Sequence, residues 1–326
     1  MLAYRSGRIE SGRSAIIVTM RNAFADEITE LADRDERIVL LSGDIGNRLF
    51  DRFKAAHPQR FFNCGVAEQN MIGMAAGLAM DGFLPVVYTI ASFLIYRPYE
   101  QIRVDVAYHD LPVTLVGVGG GLSYAANGGT HHSLEDIAVM RCLPGMRVVC
   151  PGDAWEVRAA VRALPGCNGP LYLRIGKKNE PLVHMGVPQD FQLGTALKIR
   201  PGQDAAILAT GNQLPCAVAA ADRLAKEGFE VAVYSMHTVK PLDEALIDQL
   251  FSKYAHLFSI EEHSVMGGLG SALLECGNTA GHDTRKLHRI AIPDAFIHET
   301  GGQAHARGLC GLSPEAVAEK ILKVLS

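Results

Sequence analysis

The amino-acid sequence predicts an α/β protein made of two doubly wound, mostly parallel sheets. Short β-branched runs alternate with helical patterns along nearly the whole chain. Most of those runs are continuously apolar, as strands covered on both faces by helices must be. The 33 glycines among 326 residues supply the tight turns and close backbone approaches that strand-to-helix junctions need. Hydrophobic residues make up 48% and charged residues 20%, which permits a large core and disfavours disorder.

Taken in order, the strand candidates are 38–41, 85–89, 112–118, 147–150 and 171–175, then 205–209, 230–234, 257–260 and 289–292. Helical patterns fall at 22–33, 69–80, 99–108, 154–163, 214–227 and 268–277. A segment with two prolines and mixed charge, KKNEPLVHMGVPQDFQLG, shows no sustained period and marks a boundary. The expected organisation is an N-terminal arm (1–20), a first domain (21–178), a linker (179–194) and a second domain (195–326).

Net charge is -4 with no long basic run, which argues against nucleic acid or an anionic membrane as partner. No apolar run approaches the roughly 20 residues that span a bilayer. The apolar stretch at 15–18 is too short for a signal-peptide core. Seven scattered cysteines, odd in number and never spaced C-x-x-C, suggest neither a disulfide framework nor a zinc site; they fit a reducing, cytoplasmic setting.

Three segments carry chemistry. In FFNCGVAEQNMIGMAAGLAMDG (61–82) a short apolar strand runs into Cys64 and Gly65, and a helix follows with Gly73, Ala76 and Gly77 on one face. Glu68 falls at its start and, taken alone, is an acid complementing the helix dipole. In YTIASFLIYRPYEQIRVDVAYHD (88–110), Phe93, Tyr96 and Tyr99 sit three apart, along one side of a helix. They form either a core stripe or a wall for a flat heterocycle. In GVGGGLSYAANGGTHHSLEDIAVMRCLPGM (117–146) a strand ends in a glycine-rich loop, and His131 and His132 precede a helix with Ser133 as its expected cap. The loop is neither G-x-G-x-x-G nor a P-loop. Two adjacent histidines without a third ligand do not make a metal site. A loop at the carboxyl end of a parallel strand is, however, where α/β proteins place ligands.

In this order and spacing the three segments resemble the pyrimidine-binding domain of transketolases and deoxyxylulose-phosphate synthases. GVAEQNMIGMAAGLA resembles the segment with the family's catalytic glutamate, which maps onto Glu68. SFLIYRPYEQ resembles the aromatic segment against the cofactor's aminopyrimidine, mapping onto Phe93, Tyr96 and Tyr99. NGGTHH resembles the D-G-x-T-H loop, whose histidine contacts substrate and maps onto His131. DAAILATGNQ, YSMHTVKPLDEALI and EEHSVMGGLGSAL resemble the C-terminal domain that follows. The resemblance implies thiamine diphosphate as cofactor, with Glu68 hydrogen-bonded to the pyrimidine N1′. It further implies transfer of a two-carbon ketol unit between sugars or sugar phosphates, with His131 steering protons on their oxygens.

The family's diphosphate- and metal-binding G-D-G…N motif is missing; Ser42-Gly43-Asp44-Ile45-Gly46 lacks the spacing and the downstream asparagine. The resemblance therefore implies a separate partner subunit that carries this motif and holds Mg2+ or Ca2+, in a heterotetramer of two such pairs. Asp44 remains a candidate on the cofactor side. Arg21 and Arg174 map near positions where family members bind substrate phosphate, a role that suits a guanidinium fork. Two departures fall on substrate recognition: Asn127 stands for the family's aspartate, and Gly119 for a histidine of standard transketolases. They suggest a donor or acceptor other than the usual pentose phosphates, such as a modified or branched sugar. The alternatives are the β subunit of a 2-oxo acid dehydrogenase E1 component, less well matched because T-H-H stands where A-Q-H-S is usual, and a catalytically silent companion subunit. His237 and His263 read as ordinary polar residues near strand ends.

Overall fold

The computed structural model describes residues 8–11, 13–17, 19–46, 48–177 and 180–326. Among them the strands are β1 (Arg8–Ser11), β2 (Arg13–Ile17), β3 (Ile38–Ser42), β4 (Phe61–Asn63), β5 (Leu84–Ile90), β6 (Thr114–Val118), β7 (Arg147–Val149) and β8 (Leu171–Ile175). There follow β9 (Leu197–Arg200), β10 (Ala205–Ala209), β11 (Val231–Ser235), β12 (Thr238–Lys240), β13 (Leu257–Ser264) and β14 (Leu287–Ile292).

One sheet runs β12-β7-β8-β6-β5-β3-β4 and is parallel except for β12. A second runs β14-β13-β10-β11-β9 and is parallel except for β9. Alternation along each buried strand feeds two cores, one per face. Leu40, Val86 and Tyr88 join Phe24 and Phe50 on one side of the first sheet. Val39, Leu41 and Val87 join Met71 and Ile72 on the other. Tyr88 stacks on Phe24 at 5.5 Å and meets Phe50 edge-on at 4.9 Å. Each such pair adds about 1 kcal/mol beyond burial.

The anticipated strands are present, their ends shifted by at most a few residues. Outside the arm, two strands were not anticipated. Both β9 and β12 are short antiparallel edge pieces that stop at a proline, too brief to leave an apolar run to read. β12 also crosses between the halves, since residues 238–240 pair with β7 of the first sheet. The pattern at 99–108 is not one α-helix: the helix Ala91–Tyr96 is interrupted at Pro98, a turn Tyr99–Gln101 follows, and Ile102–Ala107 is π-helical. Ser133 does not cap the next helix. That helix begins at Asp136, while Ser133 exchanges both backbone bonds with Gly121.

Of the expected arm (1–20), residues 1–7, 12 and 18 lie outside the described residues, and β1 pairs antiparallel with β2. Of the expected linker, Asn179 lies outside them as well; residues 180–194 form no helix, and Gln192 makes an isolated bridge to Thr195. No described helix is long and apolar enough to cross a membrane, and the seven cysteines are free thiols.

Asp153 shows how the linker is held. Its Oδ1 accepts from Trp155 N at 2.9 Å and Glu156 N at 3.0 Å, capping the helix Ala154–Arg162. Its Oδ2 accepts from Val183 N at 2.9 Å and His184 N at 2.8 Å. Asp153→Ala removes the cap and orphans two linker amides, so urea unfolding should show a loss of about 3 kcal/mol. A loss under about 1 kcal/mol would show that water replaces these bonds freely.

Candidate active site

Glu68, Phe93, His131 and Asp44 lie at one edge of the first sheet because its parallel strands end there together. β3 ends before Asp44, β4 before Glu68, β5 before Phe93, β6 before the loop 119–133, and β8 before Lys177.

Glu68 is the first residue of the helix Glu68–Met80 and is only 4% exposed. It sits in a cleft of about 490 Å³ lined by Val66, Ala67, Gln69, Asn70 and Arg97. Arg97 Nη1 donates to both Glu68 carboxylate oxygens at 3.2 Å. The same guanidinium lies over the Phe93 ring, 4.3 Å from its centroid. Phe93 in turn meets the His131 ring edge-on at 5.0 Å. One contact chain therefore joins three of the sequence candidates, Glu68, Phe93 and His131, through a fourth residue that sequence reasoning passed over. The signal was present: Arg97 is the lone cation in the apolar run before Tyr99.

The aromatic stripe does two different jobs. Tyr96 Oη donates to Glu135 Oε2 at 2.6 Å, and Tyr99 Oη donates to the Val139 carbonyl at 3.1 Å. Phe93, Tyr96 and Tyr99 thus meet His131, Glu135 and Val139 in register, which ties the two segments side by side. Only Phe93 of the three also contacts the Glu68–Arg97 pair. Tyr99 is partly buried against the core of Met71 and Ile72, so the structure does not bring it into the Glu68 group.

The loop after β6 explains one departure. Gly119 has φ +79, and a Cβ there would stand 2.0 Å from the Tyr124 ring. Tyr124 therefore fills the place that a side chain at 119 would take. Its ring lies 5.9 Å from that of His131, with Lys177 Nζ 3.9 Å above its centroid. Burial pushes the Tyr124 phenol up, and the charge of Arg21 pulls against it. Arg21, in the first turn of the helix Met20–Ala32, keeps a buried Nε without a hydrogen-bond partner. Asn127 is exposed at the end of the turn Ala125–Asn127. Burial lowers His131 below its ordinary value, and the charges of Lys177, His132 and Arg97 act in the same direction.

Arg174 corrects an expectation. It is 4% exposed, and its guanidinium pairs with Asp136 at 2.8 Å and donates to the carbonyls of Ser133 at 3.0 Å and Glu262 at 2.9 Å. It is the next-to-last residue of β8, and these three partners commit its fork to the fold. The cation at the strand's open end is Lys177, three residues beyond the position that the sequence reading favoured. Asp44 has φ +55 and accepts from Asn63 Nδ2 at 3.0 Å, while Asn63 Oδ1 accepts from Gly65 N at 3.0 Å. It orders the approach to Glu68 and makes no contact with its carboxylate. His237 and His263 are fully buried, unlike loop residues. His237 stacks on Phe191 at 4.1 Å, and His263 Nε2 accepts from Ala138 N at 3.3 Å.

Known proteins share both halves of the chain. Residues 17–181 match the transketolase pyrimidine-binding domain and residues 194–317 the transketolase C-terminal domain. The chain is 39% identical over 279 residues to the 6-deoxy-6-sulfo-D-fructose transketolase subunit SqwH of a Clostridium species, covering 85% of each. It is 35% identical over 309 residues to one subunit of the apulose-4-phosphate transketolase of Phocaeicola vulgatus, covering 94% of this chain and 97% of that one. Among solved structures, a split-gene transketolase described as an inactive β4 tetramer superposes with a TM-score of 0.85 at 32% identity, covering 94% of this chain and 98% of the other. This chain belongs to the transketolase family, as the section that joins the pyrimidine-binding domain to the C-terminal domain.

Proposed function

We propose that the chain is the cofactor-activating subunit of a two-chain, thiamine-diphosphate-dependent transketolase. The observation that carries this reading is Glu68, a buried carboxylate in an open cleft, joined to the Phe93 ring through the Arg97 guanidinium. An enclosed acid with an aromatic ring one side chain away suits an aminopyrimidine, which offers a ring nitrogen and a flat surface. Glu68 would hold and return a proton at N1′, and Phe93, with Tyr96 beside it, would orient the ring. When bound, thiamine diphosphate supplies the carbon nucleophile that cleaves the ketose between C2 and C3 and carries the two-carbon unit to an aldehyde. The diphosphate and its Mg2+ or Ca2+ belong, in this reading, to a separate subunit with the G-D-G…N motif, in a heterotetramer of two pairs. The domains at 21–178 and 195–326 with the linker 179–194 are part of the same reading.

His131, neutral because it is partly buried among cations, would accept a proton from a sugar hydroxyl. Arg21 and Lys177 flank Tyr124 and would take the charged end of the sugar. With Tyr124 standing over Gly119 and Asn127 at the rim, the substrate would be a modified or branched sugar with an anionic group. Relatives that act on apulose 4-phosphate and on 6-deoxy-6-sulfo-D-fructose support this choice. Turnover of xylulose 5-phosphate with ribose 5-phosphate as fast as in a pentose-phosphate enzyme would exclude it.

The chain should be purified from its native cells with its partner, whose sequence and bound thiamine diphosphate are then determined. In that complex Glu68→Ala should lower kcat roughly 10³-fold with assembly intact. A variant as active as the wild type would make the chain a silent companion. The active His131 is neutral and its titration lies below the ordinary value of 6.5, so kcat/KM should fall only as pH drops through that lower range. His131→Asn should flatten this acid limb; an unchanged limb assigns it to another group. Lys177→Met should raise KM about tenfold or more for a phosphorylated ketose and leave the KM of its dephosphorylated analogue unchanged.

A further inference from the structure

The loop after β6 carries Tyr124, Asn127 and His131, yet it is the second half of the chain that grips its start. Leu122 N donates to Glu262 Oε1 at 2.7 Å. Ser123 Oγ accepts from Asn212 Nδ2 and from Gln303 Nε2, each at 3.4 Å. Gln303 Nε2 also donates to Glu262 Oε1 at 3.0 Å, and Gln213 Nε2 donates to Oε2 at 3.2 Å. Arg307 Nε pairs with Glu262 Oε2. The loop's far end reaches the same residue: Arg174 Nη2 bridges the Ser133 and Glu262 carbonyls. Contact is close enough to dictate sequence, since a Cβ on Gly121 (φ +67) would lie 2.5 Å from Glu262 Oε1 and 2.8 Å from its carbonyl oxygen.

The Glu262 side chain is fully enclosed. Burying a carboxylate is costly unless donors surround it. Burial by itself would push Glu262 up, but Arg307, Leu122 N and Gln303 outweigh it and hold the carboxyl below its ordinary value. The donors come from three places that are far apart in the chain: the loop, the turn Gly211–Gln213 and the helix Gln303–Leu309. A hydrophobic residue at the end of β13 could pack the sheet, but it could not fix the direction of Leu122 N–H.

We propose that Glu262 is a positioning residue for sugar recognition: by fixing Leu122 and Ser123 it sets where Tyr124, Asn127 and His131 stand, and so gives the C-terminal half a part in choosing the substrate. The recognition part of this proposal rests on the transketolase reading; the anchoring part does not.

Hydrogen exchange on the full chain tests the anchor, and kinetics of the complex with its partner test the consequence. Gln303→Ala acts on the partly exposed side of the network, where folding tolerates it. It should speed exchange in peptides covering 119–133 by about tenfold. In the complex it should lower kcat/KM for the ketose about tenfold, with the thiamine diphosphate Kd within about twofold of wild type. Glu262→Ala should do more, and Glu262→Gln, which keeps an acceptor for Leu122 N, should lie nearer the wild type. If Glu262→Ala does not fold, Gln303→Ala and Arg307→Met decide. Unchanged loop exchange in these variants overturns the anchor, and an equal loss of diphosphate binding overturns its link to substrate. A wild-type complex that transfers no ketol unit defeats the transketolase reading and, with it, the recognition part, while the exchange data still decide the anchor.

Discussion

Arg174 and Asp136 form an ion pair in the interior, 2.8 Å apart, with both side chains almost wholly out of water. The rest of the first sheet's carboxyl edge is built around it. Tyr172 Oη donates to the same Asp136 oxygen at 2.6 Å, and Arg174 reaches the Ser133 carbonyl on one side and the Glu262 carbonyl on the other. Burial would raise Asp136, yet the Arg174 charge and the side-chain bonds from Arg174 and Tyr172 hold it below its ordinary value. Breaking such a pair leaves an uncompensated charge in the core, so neither partner is free to do anything else. A cation so near the site is thereby committed to the fold.

The two halves of the chain are joined by polar contacts as well as by an apolar seam, in which Leu122, Ala125 and Leu134 enter the second sheet's core. β12 completes the first sheet, His263 accepts from Ala138, and Glu262 gathers donors from the loop and from the last third of the sequence. Directional bonds of this kind determine orientation as well as proximity. The loop that holds His131 is therefore clasped between two domains, whereas Glu68 and Phe93 depend on the first domain alone. The Glu68 side and the His131 side thus have different supports and meet through Phe93.

Arg97 connects those two sides. It touches Glu68, lies over Phe93 and adds its charge to the field that keeps His131 neutral. Being about half exposed, it is held less firmly than either partner. Its one guanidinium thus pairs with the buried acid and, together with Lys177, acts on the imidazole.

What the sequence determined by itself was whatever depends on local periodicity or on a run of adjacent residues. Continuous apolar runs specified parallel strands, and the position of Glu68 just after one of them placed it at a helix start on the carboxyl edge. The stripe Phe93, Tyr96 and Tyr99 and the glycine-rich loop were legible for the same reason. Only the tertiary structure decided which of these residues meet. Arg174 and Lys177 are three residues apart and differ in surroundings because one is enclosed by Asp136, Ser133 and Glu262 within the strand and the other lies beyond the strand's end. Arg97 acquires its role from Glu68, 29 residues away, and Glu262 from Leu122, 140 residues away. Such contacts leave no period in the sequence, because hydrogen bonds and ion pairs between distant segments are selected by the packing of the finished fold.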